Sequence, residues 1–266
     1  MKRNEHLSSR FRETGIEYWA ALPLCELKIT KQYLIDRLDF VPTCAIIFLV
    51  PYYVGDAENL SEYAAARDYH AFISEAGGRI CDTLKEKLGA NGAFFGDHSP
   101  IDERDAAARA ALGIIGDNGL LINEKYGTYV FIGEVLTDLP PESIPCSEAT
   151  PVEFCEHCGE CMRACPISEI GECLSALTQK KGALSDGERQ YIKKYGSAWG
   201  CDICQSACPH NRHPKPTPIE YFKEKRTPHL TSEVIESMGE CEFSERAYAW
   251  RGKDVLLRNL EIFEKD

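Results

Sequence analysis

The sequence predicts a mixed α/β protein with a cysteine-rich module and a short helical tail. Segments with helical and strand-like spacing alternate over the first 140 residues, a proline-rich stretch at 137–145 breaks this pattern, and most of the cysteines follow it. Alternating elements are typical of an α/β domain, and a proline-rich stretch is a common domain boundary. We therefore predict an α/β domain over 1–145, a cysteine-rich domain over 146–215 and a helical tail over 216–266.

The periodicity of apolar residues predicts the individual elements. The continuous apolar run that begins at Cys44 predicts a strand buried on both faces. Helical spacing over 61–89 is interrupted at Gly77 and Gly78, where we expect either a division into two helices or a kink. Residues 120–123 and 128–136 alternate as strands, and Gly127 between them predicts a hairpin. Further helices are predicted at 7–14, 28–38, 102–112, 232–238 and 247–263, and a strand at 17–22.

The composition excludes several classes of protein. The chain has 266 residues, of which 44% are hydrophobic, and a net charge of −12. Its longest apolar run is broken by Pro42 and Pro51 and is shorter than the roughly 20 residues of a membrane span. The polar N-terminus has no signal-peptide pattern, so we expect a cytoplasmic protein without a membrane partner. An acidic surface repels a phosphate backbone, so binding of nucleic acid requires a local basic patch.

The cysteine spacing predicts metal chemistry. The chain has 13 cysteines, an odd number, and the absence of an export signal argues against a disulfide framework. The run from Cys155 to Pro166 reads C-x2-C-x2-C-x3-C-P, the pattern of bacterial two-cluster ferredoxins. Two-residue gaps let one loop provide three corners of a cubane cluster, whereas the fourth cysteine, Cys165, lies too far along the following helix and serves a second cluster.

A second motif completes the ligand set. Residues 201–209 read C-x2-C-x3-C-P, and Cys173 provides one more thiolate. We predict two [4Fe–4S] clusters, one bound by Cys155, Cys158, Cys161 and Cys208, the other by Cys165, Cys173, Cys201 and Cys204. Zinc or disulfides are the alternatives, because C-x2-C pairs also form zinc sites. The isolated cysteines are predicted to be small buried hydrophobic residues: Cys25, Cys44, Cys81, Cys146 and Cys241.

Longer motifs extend over nearly the whole chain. They are A-R-D-Y-H at 66–70, D-H-S-P at 97–100, L-G-I-I-G-D-N-G at 112–119, Y-G-T-Y-V-F-I-G-E-V-L-T-D at 126–138 and L-T-Q-K-K-G at 177–182, with the cysteine motifs between and after them. Together they resemble the epoxyqueuosine reductase family, cobalamin-dependent iron–sulfur enzymes related to the reductive dehalogenases. The resemblance runs from about Leu7 to Leu260.

The resemblance implies a fold and an activity. It implies a nitroreductase-like cobalamin-binding domain followed by a ferredoxin-like domain with two [4Fe–4S] clusters. In the family, the clusters pass single electrons from a low-potential donor of flavodoxin or ferredoxin type to cobalamin, and the epoxide oxygen of epoxyqueuosine in tRNA is removed. The same core could also reduce another small substrate. The alternative is a ferredoxin-like partner that delivers electrons to another corrinoid protein and has no catalytic activity.

The resemblance also assigns roles to residues. Asp97 lies three residues before Pro100 and matches the aspartate of the family's D-T-G-P motif, which implies that it is the proton donor. Burial beside Phe94 and Phe95 would raise the pKa of such a carboxyl. The structural alternative is a loop carboxylate that caps the next helix. The residues implied to contact the cofactor are Tyr69, His70, Asp97, Gly113, Gly116, Asn118 and Asp202.

Two departures from the family pattern bear on the substrate. Asp117 stands where the family loop usually has lysine, which replaces a cation with an anion near the expected active site. Full-length family members continue into a helical-repeat domain that helps to bind tRNA, whereas this sequence stops at about that point. With the acidic composition, these departures lead us to expect at most weak binding of tRNA.

Overall fold

The computed structural model describes residues 2–144 and 147–264. In chain order the elements are α1 (Lys2–Glu13), β1 (Trp19–Pro23), α2 (Gln32–Ile35), β2 (Cys44–Pro51), α3 (Glu62–Ala65), α4 (Tyr69–Thr83), β3 (Gly92–Gly96), α5 (Glu103–Arg109), β4 (Ile114–Ile115), β5 (Leu121–Ile122), β6 (Val130–Thr137), α6 (Glu160–Ala164), α7 (Ile167–Ile170), α8 (Leu174–Thr178), α9 (Asp186–Tyr195), α10 (Ile203–Ser206), α11 (Ser232–Ser237), α12 (Glu240–Ser244) and α13 (Lys253–Glu264). The mixture of helix and sheet confirms the predicted fold class.

The chain divides into two compact units whose segments interleave. The first unit comprises residues 1–51, 70–158 and 213–219, and the second comprises 52–69, 159–212 and 220–266. The domain boundary predicted between residues 145 and 146 lies outside the described residues. The three-part division of the sequence stays a prediction.

The first unit contains an antiparallel sheet with the strand order β1-β2-β6-β3. Every residue of β2 is buried, as its continuous apolar sequence predicts, because both faces of the sheet are covered. Ala45, Ile47 and Leu49 pack into a core with the alanines of α5. Toward α1, Phe11 stacks on Trp19 with ring centroids 4.6 Å apart. The strand predicted from the apolar run is therefore confirmed.

The division into two helices predicted at the glycine pair is wrong. Helix α4 runs without interruption through Gly77 and Gly78 to Thr83 and continues into a π-helical turn at Leu84–Leu88. A Cβ atom on Gly77 would lie 2.4 Å from the Cβ of Phe94, whereas one on Gly78 would meet no atom within 4 Å. Gly77 is therefore required for the close approach of the helix to β3, and not for a break in the helix.

The hairpin predicted around Gly127 is also wrong. Strand β5 pairs with β4 in a separate two-stranded sheet, while β6 pairs with β2 and β3. A single bridge between Asn123 and Gly127 closes the intervening turn, and Gly127 has a positive φ of 59°. The turn was predicted correctly, but the strand on each side belongs to a different sheet.

The second unit is helical and is built around the cysteine segment. Helix α13 packs against α8, α9 and α11. The buried amide of Asn259 in α13 donates to the carbonyl oxygens of Thr178 (2.7 Å) and Ala198 (2.9 Å). Helix α9 begins with a capping box formed by Ser185 and Glu188. The helical tail is thus part of the packing around the cysteine segment. None of the helices described here combines the length and apolarity required to cross a membrane.

Candidate functional site

The loop between β3 and α5 carries Asp97 in a left-handed backbone conformation. Its φ is 56°, a conformation that aspartate tolerates better than most residues but that is uncommon outside glycine. Its Oδ2 atom lies 3.3 Å from Nε2 of His70, and the two side chains are 53% and 52% exposed. The antiparallel pairing of β3 with β6 fixes the start of this loop. The carboxyl is therefore accessible to a reactant and positioned by an imidazole.

Asp97 does not cap the following helix. Asp102 is the N-cap of α5 and accepts a hydrogen bond from the backbone N–H of Asp105 at 3.4 Å. Asp102 also accepts from Lys28 Nζ at 3.1 Å, and its pKa is lowered by that bond and the N–H bond in spite of opposing desolvation. The capping role in the structural alternative is thus taken by Asp102, whereas the exposed loop position of Asp97 agrees with that alternative. The role of Asp97 as a proton donor stays a prediction.

The expected apolar wall around Asp97 is only partly present. Phe95 packs against the core on the α5 side of the sheet, and its predicted position beside Asp97 stays a prediction. The predicted burial of Asp97 is wrong, because its side chain is half-exposed. Phe94 packs against Gly77 on the other face of the sheet and is 40% exposed. Two consecutive strand residues cannot both face one site, because side chains alternate across a strand.

The other residues implied to bind cofactor lie on different elements. Tyr69 begins α4 and is 9% exposed, with its ring edge-on to Tyr63 at 6.3 Å. His70 follows it and contacts Asp97, as described above. A Cβ on Gly113 would lie 2.5 Å from the carbonyl oxygen of Ile122, so this glycine is required where β4 meets β5.

Asn118 is the member of this group with an unused donor. Its Oδ1 accepts from the N–H of Leu120 at 3.2 Å, and a Cβ on Gly116 would lie 2.6 Å from that oxygen. The Nδ2 atom is buried and has no hydrogen-bond partner among the described residues. A buried amide donor without an acceptor is costly. This donor therefore fits a ligand that presents an acceptor, such as the amide or phosphate oxygens of a corrinoid.

Asp117 is paired with the cysteine motif. Its Oδ1 lies 2.7 Å from Nδ1 of His157, and one ligand atom each of Asp117, Cys155 and His157 lie within 4.8 Å of one another. The backbone positions this group, because the N–H of Cys155 donates to the carbonyl of Ile115 in β4 at 3.0 Å. The anion expected to face the substrate is instead hydrogen-bonded to a histidine between two predicted cluster ligands.

Four of the predicted thiol ligands belong to the second unit. Cys165 is the C-cap of α6, Cys173 the N-cap of α8 and Cys204 lies in α10. Burial raises the pKa of Cys201 to about 11 and that of Cys204 to about 12, and the charges of Asp202 and of neighbouring thiols, Cys165 and Cys173 among them, add to both increases. These electrostatic effects agree with the predicted ligand set, which itself stays a prediction. Four thiols gathered from separate turns fit a cubane cluster, whose binding would release their protons.

The carboxyl of Asp202 forms hydrogen bonds within the second unit. Its Oδ1 accepts from Ser61 Oγ at 2.5 Å and from Gln205 Nε2 at 2.8 Å, and its Oδ2 accepts from the N–H of Glu62 at 2.7 Å. Burial raises its pKa, and these hydrogen bonds oppose the increase. The carboxyl holds the segment before α3 against the turn between Cys201 and Cys204. Its predicted contact with a cofactor stays a prediction.

The ligands predicted for the other cluster are divided between the two compact units. Cys155 and Cys158 belong to the first unit, and Cys161 and Cys208 belong to the second. Cys161 and Cys208 are each 8% exposed. Cys161 lies in α6, and Cys208 precedes the 3₁₀ turn Pro209–Asn211. This ligand set rests on the sequence spacing and stays a prediction.

The isolated cysteines differ in exposure. Cys44 is fully buried in β2, as predicted, and burial raises the pKa of Cys81 to about 11. Cys25 and Cys241 are exposed, so the prediction that they are buried hydrophobic residues is wrong. Cys146 lies outside the described residues.

Two carboxyls near the Asp97 loop were not singled out from the sequence. Glu134 in β6 is completely buried and accepts a hydrogen bond from Ser99. Glu103 in the first turn of α5 has a buried Oε1 atom. Burial raises the pKa of Glu103 to about 7, and the charge of Asp97 contributes. A single glutamate in a strand usually indicates a solvent-facing position. The sequence therefore gives no sign that Glu134 is buried, and only the structure shows that this face of the sheet is covered.

Comparisons with known proteins show which structures and sequences this chain resembles. No family model matches the chain. The fold is shared with a reductive dehalogenase whose structure was described in terms of B12-dependent dehalogenation, at a TM-score of 0.51 and 14% identity, over 95% of this chain and 37% of that one. It is shared more fully with the epoxyqueuosine reductase of Streptococcus thermophilus, at a TM-score of 0.78 and 23% identity, over 98% of this chain and 80% of that one. The chain thus shares its fold with both structures.

The sequence comparisons are more specific. The chain is 34% identical to the epoxyqueuosine reductase of Cyclobacterium marinum over 177 residues, which are 63% of this chain and 56% of that protein. It is 33% identical to the Pseudomonas aeruginosa epoxyqueuosine reductase over 194 residues, 68% of this chain and 51% of that one. The resemblance predicted from the motifs is confirmed: this chain is a homologue of the epoxyqueuosine reductases. It spans about half the length of the curated relatives it matches.

Proposed function

We propose that this chain is a cobalamin- and [4Fe–4S]-dependent reductase that removes the epoxide oxygen from an epoxyqueuosine-type substrate. The observation that carries the proposal is the placement of Asp97. Its carboxyl is held 3.3 Å from His70, is half-exposed and takes no part in capping α5. A carboxyl with no capping role in a left-handed loop fits a proton donor to a departing oxygen.

The predicted clusters supply the electron path in this proposal. The grouping of Cys165, Cys173, Cys201 and Cys204 supports one cubane cluster. The C-x2-C-x2-C spacing from Cys155 supports the other. Electrons would enter from a low-potential donor of flavodoxin or ferredoxin type.

Asn118 and His70 support a corrinoid site in the first unit. The unused amide donor of Asn118 fits an acceptor of the cofactor, and His70 contacts Asp97, the proposed proton donor. The other candidate contacts in the first unit are Gly113 and Gly116. The contacts expected for Tyr69 and Asp202, which belong to the second unit, stay predictions. Bound cobalamin, once reduced, would supply a strongly nucleophilic, low-potential cobalt centre.

The protein's own residues would then act on protons. Asp97 donates a proton to the oxygen as the carbon–oxygen bond breaks, which avoids release of an unstable alkoxide. The imidazole of His70, 3.3 Å away, would restrict the orientations of the carboxyl. An electron carrier without catalytic activity has no need of such an acid, and this argues against the alternative of an electron-delivery partner.

The substrate is proposed by homology. One epoxyqueuosine reductase with this fold has been described with an epoxyqueuosine-modified tRNA stem loop, at a TM-score of 0.77 and 21% identity, over 98% of this chain and 80% of that one. We extend the substrate class to this chain and keep the expectation that its acidic surface binds whole tRNA weakly, because counterion release requires clustered lysine and arginine.

The test is the substitution Asp97→Asn in holoenzyme with both clusters and cobalamin. It keeps the shape of the side chain and removes the acidic proton, so we expect turnover to fall roughly 10²–10⁴-fold while the visible spectrum of the cofactors is unchanged. The assay compares an epoxyqueuosine nucleoside with epoxyqueuosine-containing tRNA at several salt concentrations. Full activity of Asp97→Asn would refute the assignment, and strong salt-sensitive tRNA binding would refute the expectation of weak binding.

A further inference from the structure

Asp117 makes a contact with the cysteine motif that the proposed function does not use. It lies in the turn between β4 and β5, at the position where the family loop usually has lysine. Its Oδ1 atom is 2.7 Å from Nδ1 of His157, and its side chain is only 29% exposed. His157 stands between Cys155 and Cys158, two predicted ligands of one cluster. The exchange of lysine for aspartate therefore bears on the cysteine motif.

The backbone on both sides determines this contact. The N–H of Cys155 donates to the carbonyl oxygen of Ile115 at 3.0 Å, which joins β4 to the start of the cysteine motif. The turn that carries the aspartate is closed by the N–H of Gly116, which donates to the carbonyl of Leu120 at 2.9 Å. His157 has a positive φ of 52°, a conformation that is uncommon outside glycine and persists where the surrounding contacts enforce it. The contact is therefore a product of the fold in this part of the first unit.

The carboxylate fixes the position of a hydrogen on the imidazole. An ionised carboxylate can only accept hydrogen bonds, so Nδ1 of His157 carries the hydrogen and donates it to Asp117. One ligand atom each of Asp117, Cys155 and His157 lie within 4.8 Å of one another. An imidazole this near a thiolate is an available hydrogen-bond donor to sulfur. Asp117 withholds that N–H group from Cys155 and adds a negative charge beside it.

Both effects oppose reduction of a cluster bound at Cys155. Reduction adds an electron, so an anion close to the cluster raises the free energy of the reduced state. A hydrogen bond donated to a ligating sulfur stabilises the added negative charge. Net charge and hydrogen bonds to the sulfurs are among the factors that set the potential of an iron–sulfur cluster. An added negative charge and a withheld donor therefore act in the same direction, toward a lower potential.

We propose that Asp117 is a positioning residue that lowers the reduction potential of the cluster bound through Cys155. It acts by its own charge and by holding the N–H of His157. A cluster of lower potential is a stronger reductant, which suits the delivery of electrons to a low-potential acceptor. The inference rests on the clusters of the proposed function, but it is independent of the substrate and of the role of Asp97.

The test is a redox titration of the anaerobic holoenzyme, followed by low-temperature EPR of the reduced clusters. Wild-type protein should give a separate midpoint potential for each of the two predicted clusters. We expect Asp117→Asn to shift one midpoint to a higher potential and to leave the other unchanged. Asp117→Glu keeps the charge and restores most of the wild-type value. The control is Asp82→Asn, at an exposed position in α4, which removes an equal charge elsewhere in the first unit and leaves both midpoints unchanged.

Two further variants separate the charge from the hydrogen bond. Asparagine removes the charge at residue 117 but still offers an oxygen to the imidazole, whereas Asp117→Ala removes both the charge and the acceptor. We therefore expect a larger upward shift in Asp117→Ala than in Asp117→Asn. Addition of His157→Leu to Asp117→Ala removes the released donor and returns the midpoint to about the Asp117→Asn value. Equal shifts in Asp117→Ala and Asp117→Asn would overturn the role of the imidazole.

Metal analysis of the same samples keeps the remaining outcomes apart. About eight iron per chain in every variant would show that both clusters assemble. Loss of iron in Asp117→Asn would overturn the effect on potential, because the residue would then be required for assembly of the cluster. Unchanged midpoints in Asp117→Asn, or an equal shift in Asp82→Asn, would overturn the inference and leave the reductase proposal intact. Wild-type protein without iron and sulfide would refute the clusters of the proposed function.

Discussion

At the scale of a single residue, the raised pKa of Glu103 makes the stability of the folded protein depend on pH. Its pKa is raised to about 7 from an ordinary value of 4.5, mainly by burial. A carboxyl with a raised pKa stabilises the folded state fully below its unfolded pKa, and this contribution is lost as the pH rises through its folded pKa. The relevant window therefore runs from about pH 4.5 to about pH 7.

We expect Glu103→Gln to flatten the pH dependence of stability in that window. The shift in pKa corresponds to about 3 kcal/mol of the free energy of unfolding, and glutamine has no charge to bury as the pH rises. Urea denaturation at half-unit pH intervals measures the effect. Glu86→Gln, at an exposed position, should reproduce the wild-type curve. A parallel curve for Glu103→Gln would show that the side chain does not titrate in this range.

Individual residues also show how much of the candidate site could be predicted from the sequence. The cysteine ligands can be predicted from spacing, since the geometry of a cubane cluster restricts the gaps between its ligands. That ligand set stays a prediction. Asp97 was identified through the resemblance, because a lone aspartate in a loop has many uses. Glu134 and the contact of Asp117 with His157 could not be predicted, since each depends on segments brought together by folding and distant in the sequence.

At the scale of elements, α4 and β3 show how a glycine can permit close packing inside a helix. The helix continues through Gly77 and Gly78, although two glycines usually indicate a break. Only Gly77 faces Phe94 at a distance that excludes a Cβ atom. Local propensity was overridden here by the tertiary contact between helix and strand.

Gly77 and Gly78 therefore allow a pair of matched substitutions. We expect Gly77→Ala to lower the free energy of unfolding by about 1–3 kcal/mol through the clash with Phe94. Gly78→Ala should raise it by about 0.5–1 kcal/mol, because alanine has the higher helix propensity and open space surrounds this position. Chemical denaturation of both variants gives the comparison. Equal effects of the two substitutions would mean that the helix and the strand do not approach this closely in solution.

At the scale of the whole molecule, the prediction of two clusters can be tested by metal analysis. Anaerobically prepared protein should hold about eight iron and about eight acid-labile sulfide per chain. Cys173→Ala should remove one cluster and leave about four iron, because Cys173 belongs to the set with Cys165, Cys201 and Cys204. Cys241→Ala, an exposed cysteine outside both sets, is the control. Stoichiometric zinc without sulfide would refute the clusters, and loss of all iron in Cys173→Ala would refute the division of ligands.

The hydrogen bonds of the buried Asn259 side chain have a consequence for the biosynthesis of the protein. Helix α13 supplies the amide that joins the backbone at Thr178 to that at Ala198, and residues 52–69 contribute to the same compact unit. A nascent chain emerges from the ribosome in sequence order, so its cysteines are exposed to the cell long before this helix is synthesised. Completion of the unit therefore waits until residue 259 has left the ribosome. Iron and sulfide inserted before that moment would enter an incompletely packed site, so maturation of the protein is expected to follow translation.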